Sequence, residues 1–273
     1  QLRFETHMLD LYADLPGRVA GWQVEYVVFN DHLPHDRLAE GRKPPRLTGQ
    51  ALKAGRNPDV HFRMLLDMHA RSGAVPDALD ALCAKLQQAG VRIGSHDDAT
   101  VTHRATWRGR GATIAEFPET VEAAEAAHNA GDLIVLGSPN VVRGGSHKGN
   151  ASALDLIAMG FCDAIASDYH YPSPRRAALV LAKSGLMGLG DAWALVSSGP
   201  AAVLGLTDRG TLAQGKRADI VVLDDRDRVA ATLSGGRVSY MVGDIAQRFV
   251  AAAYPTIRFT WPILRPARAS ALP

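Results

Sequence analysis

The sequence predicts an α/β fold built around a parallel β-sheet, and two observations support this class. Short apolar segments recur up to residue 169 without the polar alternation of a half-exposed strand, as in strands buried on both faces. Helix-like stretches separate them, and alternation of strand and helix is typical of α/β proteins. The six strand candidates are residues 2–7, 25–32, 91–98, 112–118, 133–140 and 163–169.

Two of the connecting stretches carry clear helix boundaries. Residues 118–131 open with a proline and acidic residues and close on Gly131, as a helix should. Residues 150–160 open with Asn150 or a following serine as the cap and close on Gly160 in the same way. Both stretches are therefore expected to be helices that connect neighbouring strands.

A long insertion, residues 33–90, separates the second strand from the third. Up to about Asn57 it is charged and interrupted by prolines, so we expect a loop or lid over the end of the sheet. Residues 59–73 and 76–90 have the apolar spacing of two helices.

The composition changes near residue 205. Glycine-rich turns then alternate with short β-branched runs, which predicts a small antiparallel β unit over residues 205–249. The main α/β unit would accordingly span residues 1–204. The tail, residues 250–273, contains proline, alanine and arginine and carries no clear signal.

The composition is that of an ordinary globular protein and gives no support to several other classes of protein. Of 273 residues, 47% are hydrophobic and 21% charged, and the net charge of +2 gives no reason to expect nucleic acid as a partner. No apolar run approaches the ~18 residues of a membrane helix, and no signal peptide is recognisable. Cys83 and Cys162 lie in apolar contexts without metal-ligand spacing, which favours reduced thiols in a cytoplasmic protein.

Titratable side chains follow five of the six predicted strands. The carboxyl ends of parallel strands meet at one rim of the sheet, where functional groups cluster. Acids and imidazoles brought together there would repel or desolvate one another unless a cation lay among them. The sequence thus predicts a divalent metal at this rim, with zinc favoured and manganese or iron as alternatives. The candidate residues are Glu5, His7, Asp31, His32, His96, Asp97, Asp98, Glu116, Asp168 and His170.

Asp168 is the candidate catalytic base. A divalent metal lowers the pKa of a bound water from 15.7 to about 7, so that a nearby carboxylate can take its proton. Asp168 directly follows the last predicted strand. The alternative role, a helix N-cap, is disfavoured because Pro172 and Pro174 argue against a helix that starts at once.

The segment GSPNVVRGGSHKGN, residues 137–150, would hang over the same rim as an anion-binding loop. Its glycines let backbone N–H groups approach a ligand closely, and Arg143 offers a planar fork for phosphate oxygens. The alternative, a flexible surface turn, explains the glycines but not the density of donors. The order of residues is not that of a Walker A loop. The further donors are Ser146, His147, Lys148 and Asn150, and Asn150 would also begin a helix whose N-terminus attracts anions.

Five motifs make the chain resemble the amidohydrolase superfamily. They are SHDDAT (95–100), IAEFPET (114–120), GSPNVVRGGSHKGN (137–150), ASDY (166–169) and GKRADIVVLD (215–224). The first three together resemble the α-D-ribose 1-methylphosphonate 5-triphosphate diphosphatase family of phosphonate breakdown. The last motif marks the wider superfamily, where it belongs to a small β-sandwich beside the barrel.

The resemblance implies a distorted (β/α)8 barrel, of the TIM-like amidohydrolase type, with a metal centre. It implies cleavage of a small-molecule sugar 5-triphosphate to the 5-phosphate and diphosphate. His96 would be a metal ligand, and Asp168 would bind metal and activate water. Glu5 and His32 would complete the metal shell. The substrate-binding set would be Asp97, Arg143, Ser146, His147 and Asn150.

The chain departs from the superfamily pattern in one respect. No two of its ten histidines are two positions apart, so the His-x-His motif of the first barrel strand is absent. Six strands are recognisable where a barrel has eight. We therefore expect a barrel that is incomplete at the N-terminus, in a truncated chain that could be inactive. The alternatives are another amidohydrolase reaction, such as deacetylation or deamination, and a non-catalytic remnant. No nucleic acid or membrane partner is expected, and the oligomeric state, including a homo-oligomer, stays open.

Overall fold

A computed structural model describes the backbone of residues 1–144 and 151–253, with side chains up to residue 248. The chain divides into two compact units, residues 1–211 and the residues from 212 onward. The predicted binding residues Ser146, His147 and Asn150 lie outside the described residues.

The first unit contains a six-stranded sheet whose spatial order is the order of the strands in the chain. Every neighbouring pair is parallel. The predicted α/β class and all six strands are thereby confirmed. Among the described residues the first and last strands each have a single neighbour, so the sheet is open and no closed barrel is seen. The strands are β1 (Leu2–Glu5), β2 (Tyr26–Asn30), β3 (Arg92–His96), β4 (Ile114–Glu116), β5 (Leu133–Gly137) and β6 (Ala164–Ala166).

Helices occupy most of the connections between strands. The two predicted connecting helices are present, although both begin later in the chain than expected and α7 starts from the Thr120 cap. The helices of the first unit are α1 (Leu15–Gly21), α2 (His35–Ala39), α3 (Leu47–Lys53), α4 (Pro58–Ala70), α5 (Val75–Gln88), α6 (Val101–Gly109), α7 (Val121–Asn129), α8 (Ser138–Arg143), α9 (Ala153–Ala158), α10 (Ser173–Lys183), α11 (Leu189–Ala194) and α12 (Ser198–Leu204).

The insertion contains more structure than its composition indicates. Its second half forms the two predicted helices, α4 and α5. The first half was expected to be a loop, but it contains the short helices α2 and α3. The reason is a small apolar cluster, because Leu38 and Leu47 are buried against Leu65 of α4. Isolated leucines among charged residues give a weak periodic signal, although each buried leucine contributes about 2 kcal/mol.

The two faces of the sheet are covered differently. Apolar side chains that alternate along β1 to β3, such as Phe4 and Phe29, pack against α1 and α5. On β4 to β6, residues such as Ile134 and Ile165 pack against α7 to α10. The main core lies between this face of the sheet and the helices that cover it, and these helices fix the positions of the strand ends.

The opposite face is concave. Arg3 Nη2 on β1 lies 3.5 Å from Glu116 Oε2 on β4. In a flat sheet the backbones of these two strands would be three strand spacings apart, roughly 14 Å. Tyr26 on β2 also reaches Glu116, with a hydroxyl-to-carboxylate distance of 3.2 Å. The Tyr26 ring crosses Gly94 of β3, where any Cβ would collide with the ring. The curvature turns the inner-face side chains of different strands toward each other.

The second unit contains a three-stranded antiparallel sheet, which confirms the predicted β unit near the C-terminus. Its strands are β7 (Ile220–Leu223), β8 (Val229–Ser234) and β9 (Arg237–Met241), and they are followed by α13 (Gly243–Ala253). Within the described parts of the chain, no helix has the length and apolarity needed to cross a membrane.

Candidate metal centre and cleft

The candidate site begins at the carboxyl ends of β1 to β4. Glu5, His96 and Glu116 are the last residues of their strands, and His96 stands in register with Glu116. Because successive side chains of a strand alternate between faces, these residues point to the concave face. The adjoining loops add Asp31, His32 and Asp97 at the same end of the sheet.

Three side chains form the first possible cation site, which we call the His96 group: His32, His96 and Asp97. Asp97 Oδ1 lies 3.0 Å from His96 Nδ1, and Asp97 Oδ2 lies 3.6 Å from His32 Nε2. His32 is held from behind by Glu5, whose Oε1 lies 2.8 Å from His32 Nδ1 and whose Oε2 accepts the His32 backbone N–H at 3.2 Å.

Only 6% of the His96 side chain is exposed. Neither ring nitrogen has a hydrogen-bond partner among the described residues, because the short approach to Asp97 lacks hydrogen-bond geometry. A buried nitrogen without a partner costs free energy comparable to a lost hydrogen bond. A cation bound by His96 and Asp97 would remove this cost, so the donor set fits a divalent metal.

The charges of the group also suit a cation. The nearby carboxylates of Asp97 and Glu5 raise the pKa of His32 to about 10. Burial raises the pKa of Asp97, but the nearby His32 and His96 rings outweigh burial and hold that pKa well below the usual range. Without a metal, His32 therefore carries a proton between two carboxylates, and a metal ion would take the place of this positive charge.

A second group of possible ligands lies beside the first. His7, Asp31 and His35, which we call the His7 group, bring their ligand atoms within 4.8 Å of one another. Burial raises the pKa of Asp31, but hydrogen bonds and charge interactions, led by those with His7, lower it to about 2. Asp31 is consequently ionised at neutral pH.

A cleft of about 250 Å³ opens at the same end of the sheet. His96 and Asp97 line it together with Arg143 and Asp168, and Arg3 adds a second guanidinium. Asp168 is exposed and makes no side-chain hydrogen bond to another described residue. The cleft thus combines a candidate metal centre, a carboxylate and two cationic side chains.

Arg143 is held at the cleft by local contacts. Its Nε donates to the Pro139 carbonyl oxygen at 3.2 Å, and its Nη2 donates to the Tyr169 hydroxyl. The guanidinium carbon also lies 5.7 Å from the centre of the Tyr169 ring. This arrangement fixes the plane of the guanidinium, and its remaining N–H groups make no hydrogen bond to another residue that the structure describes.

Three residues of the cleft have left-handed backbone conformations that L-residues seldom adopt. Asp97, Phe117 and Asp168 have φ values of 61°, 54° and 49°, and each immediately follows a strand or lies within two residues of one. Such conformations cost about 1–3 kcal/mol each and concentrate at functional sites. All three residues line the cleft themselves.

A buried ion network supports the loop after β3. Arg104 Nη1 lies 2.9 Å from Asp98 Oδ2 and donates to Ser95 Oγ at 2.6 Å. Arg104 Nε lies 3.2 Å from Asp132 Oδ2, an ion pair that lacks hydrogen-bond alignment. The sequence predicted Asp98 as one of the rim residues around a metal. Its carboxylate instead contacts Arg104, and the residue is 3% exposed. Since Asp98 follows His96 and Asp97, the network fixes the position of both.

The structure brings some of the predicted site residues together and separates others. Glu5, His32 and His96 are gathered at one point, as expected for a shared metal. Asp168 faces the cleft but is not part of the His96 group, whereas Asp97, expected to bind substrate, is part of it.

The segment after β5 differs from the expected loop. Residues Ser138–Arg143 form the short helix α8, which ends at Gly144 with a φ of 76°. Pro139 at the start of this helix and Gly144 at its end are the residues that favour a short helix. Arg143 is therefore the last residue of a helix, and its position is more rigid than a loop would give.

Sequence reasoning missed two histidines at the second group, namely its member His35 and the neighbouring His69. His35 begins α2 and His69 lies in α4, and their Nδ1 atoms are 3.0 Å apart. The short separation of His35 from Asp31 was the available sequence signal, although residues 31–34 are not helical. No sequence signal connects His69 to this site, because tertiary packing of the insertion brings it there.

Comparisons with known proteins agree with this architecture. Residues 156–240 match the sequence pattern of the Amidohydrolase family. The alpha-D-ribose 1-methylphosphonate 5-triphosphate diphosphatase of Escherichia coli strain K12 is 42% identical over 153 residues, covering 55% of this chain and 40% of the relative. The resemblance to amidohydrolases is thereby confirmed.

Two solved structures share the fold of part of the chain. A beta-aspartyl dipeptidase from the thermophilic, keratin-degrading Fervidobacterium islandicum AW-1 matches with a TM-score of 0.51 and 14% identity, over 62% of this chain and 52% of that one. The same enzyme in complex with a beta-Asp-Leu dipeptide matches with a TM-score of 0.50 and 14% identity, over 62% and 54%. The chain thus spans about half the length of these structures and 40% of the curated relative.

Proposed function

We propose that this chain carries the site of a metal-dependent hydrolase that cleaves α-D-ribose 1-methylphosphonate 5-triphosphate to the 5-phosphate and diphosphate. The observation that carries the proposal is one cleft that His96, Asp97, Arg143 and Asp168 line together. The partial match to the Escherichia coli diphosphatase supports the choice of substrate.

His32, His96 and Asp97 would hold the divalent cation, with Glu5 orienting His32 from the side away from the ion. This mixed set of imidazoles and a carboxylate suits zinc, with manganese or iron as alternatives. When bound, such an ion supplies Lewis-acid polarisation and a water of lowered pKa. The paired contacts of Glu5 keep His32 Nε2 directed at Asp97, as the second partners of metal ligands usually do.

Asp168 would act as the general base. Its carboxylate takes one proton of the attacking water, whose oxygen forms the new bond to the α-phosphorus. The bond from that phosphorus to the bridging oxygen breaks in line, and diphosphate leaves with the bonding electrons. General-base catalysis of this kind contributes about 10²- to 10⁴-fold in rate. The exposed, hydrogen-bond-free carboxylate of Asp168 suits this role because nothing in the described chain competes for its lone pairs.

Arg143 and Arg3 would bind the phosphate chain. A triphosphate carries several negative charges, and the acids of the cleft would repel it without compensating cations. The Arg143 fork matches two phosphate oxygens at once, and its packing against Tyr169 fixes its plane before substrate arrives. A neutral amide substrate, as in deacetylation or deamination, makes no use of this feature.

The partial matches to known proteins also support a proposal for the fold. We propose that residues 1–204 are part of a (β/α)8 barrel, with the 33–90 insertion covering the strand ends, and that residues 205–249 are part of a β-sandwich. The concave six-stranded parallel sheet supports the barrel, and the antiparallel sheet β7–β9 supports the sandwich.

Hydrolysis in ¹⁸O-labelled water tests the function. The zinc- or manganese-loaded chain is incubated with the sugar 5-triphosphate, and ³¹P NMR follows the products. We expect diphosphate as the leaving product and the label in the sugar 5-phosphate. Label in diphosphate would show that water attacks the β-phosphorus instead. Cleavage of N-acyl substrates without release of diphosphate would favour the other amidohydrolase reaction, and absence of both activities would favour the non-catalytic remnant.

The Asp168→Asn variant tests the base. Asparagine tolerates left-handed backbone, so this change removes the charge while retaining the local fold. We expect kcat to fall about 10²- to 10⁴-fold while zinc affinity at the His96 group stays within a few-fold. Asp225→Asn, an exposed residue of the second unit, is the matched control. Activity of Asp168→Asn equal to that of the control would contradict the assigned role.

A further inference from the structure

We propose that the His7 group is a second, separate divalent-cation site, which joins the 33–90 insertion to the carboxyl end of the sheet. The site takes a transition metal of the zinc type through His7 Nε2, His35 Nε2 and Asp31 Oδ2. It shares no residue with the His96 group, and it stands independently of the proposed hydrolase activity.

The three donor atoms form a compact triangle. Asp31 Oδ2 lies 2.8 Å from His7 Nε2 and 3.1 Å from His35 Nε2, and the two Nε2 atoms are 3.2 Å apart. Zinc bonds to nitrogen and oxygen are near 2.0–2.2 Å, so two ligands of a tetrahedral zinc ion are about 3.3 Å apart. The triangle is therefore close to one face of a tetrahedron, and a small outward adjustment of each side chain would admit the ion.

The approach of two imidazole nitrogens is the most informative distance. If both Nε2 atoms carried protons, two N–H groups would face each other at 3.2 Å. If both were unprotonated, two lone pairs would face each other unless a cation lay between them. If only one carried a proton, the two nitrogens would form a hydrogen bond, and the acceptor nitrogen would still lie within 3.1 Å of Asp31 Oδ2. Two lone pairs together with an ionised carboxylate are a 2-His-1-carboxylate donor set, which suits zinc and other divalent transition metals.

The outer contacts of the group hold its donors in place. His35 Nδ1 lies 3.0 Å from His69 Nδ1, so the His35 N–H can donate to His69 while its Nε2 binds metal. Asp31 Oδ1 accepts the Leu33 backbone N–H at 3.1 Å, which leaves Oδ2 for the ion. His7 is buried and follows β1, so its position is set by the sheet.

The origin of the ligands gives the site its role. His7 and Asp31 follow β1 and β2, whereas His35 begins α2 and its partner His69 lies in α4. Within the insertion, α5 packs in the main core, whereas α2, α3 and α4 pack around the small cluster of Leu38, Leu47 and Leu65. A metal ion bound to both parts would restrain the insertion against the sheet, as structural zinc sites do in small domains.

Counting bound zinc tests the site. The full chain is stripped with a chelator, dialysed against zinc and analysed by mass spectrometry for metal per chain. We expect two equivalents in the unmodified chain, one in His35→Gln and one in His96→Gln. His128→Gln, an exposed histidine of α7 outside both groups, is the matched control and should retain two.

A graded variant covers the case in which His35→Gln fails to fold. His69→Leu removes the acceptor for the His35 N–H and should weaken zinc binding at this site about 10- to 100-fold. His69→Gln retains an acceptor oxygen and should restore most of the affinity. Equal zinc affinity in His69→Leu and the unmodified chain would overturn the proposal.

The outcomes separate this site from the proposed catalytic centre. One equivalent that is lost in His96→Gln but kept in His35→Gln would overturn the second site and leave the centre intact. One equivalent that is lost in His35→Gln alone would support the second site and contradict the centre. No bound zinc in the unmodified chain would overturn both.

Discussion

The buried network around Arg104 provides a prediction that joins stability to the site. Arg104 is 1% exposed and lies between Asp98 and Asp132, which are 3% and 4% exposed. Replacing Arg104 with methionine retains most of the apolar stem but leaves the buried Asp98 carboxylate without its cation, while Asp132 keeps only its contact with Arg108. Breaking a buried ion pair in this way costs about 3–5 kcal/mol, a large part of the 5–15 kcal/mol stability of a typical domain.

Urea unfolding followed by circular dichroism measures this loss. The control is Arg18→Met, because Arg18 forms an exposed i,i+4 pair with Asp14 that contributes about 0.3–0.5 kcal/mol. Combining Arg104→Met with Asp98→Asn removes the uncompensated charge and should recover part of the stability. An Arg104→Met variant within about 1 kcal/mol of the unmodified chain would refute the reasoning, because the network would then not support the loop after β3.

Two further predictions concern the cleft. Arg143→Ala should raise KM for the triphosphate about 10- to 100-fold, since hydrogen bonds to charged groups contribute about 1.5–3 kcal/mol, and an unchanged KM in steady-state assays would remove Arg143 from the site. In the metal-free chain, the raised pKa of His32 should stabilise the fold fully below pH 6.5, and this contribution should disappear as pH rises to about 10. Because half of the His32 side chain is exposed, water screening reduces the effect to about 1 kcal/mol. Denaturant titrations of the unmodified chain and His32→Gln across this pH range measure it, and a difference that does not change with pH would contradict the assignment.

The sheet was predictable from the sequence because each strand is a short run of apolar residues between turns. Segments such as Leu133–Gly137 are buried on both faces, so they show no alternation and stand out from the helices. Because the strands are parallel, Glu5 and His96, each at the end of its strand, lie at the same edge of the sheet. The closeness of Arg3 to Glu116 depends on sheet curvature, which no local pattern encodes.

The less predictable parts depend on tertiary contacts. The short helices α2 and α3 form because a few leucines pack together in a buried cluster. The packing of the same insertion also brings His69 next to His35. The left-handed backbone of Phe117 is also invisible in the sequence, since aromatic residues rarely adopt it. These features concentrate at the candidate site, where local preference is overridden by the surrounding structure.

The most direct test of the account is an anomalous diffraction map collected at the zinc absorption edge from crystals grown with zinc. We expect a peak between His32, His96 and Asp97, at about 2.0–2.2 Å from the ligand atoms, on the side that opens to Arg143 and Asp168. A map from zinc-saturated crystals with no peak at these three side chains would contradict the central claim that they form a metal centre facing an anion-binding cleft.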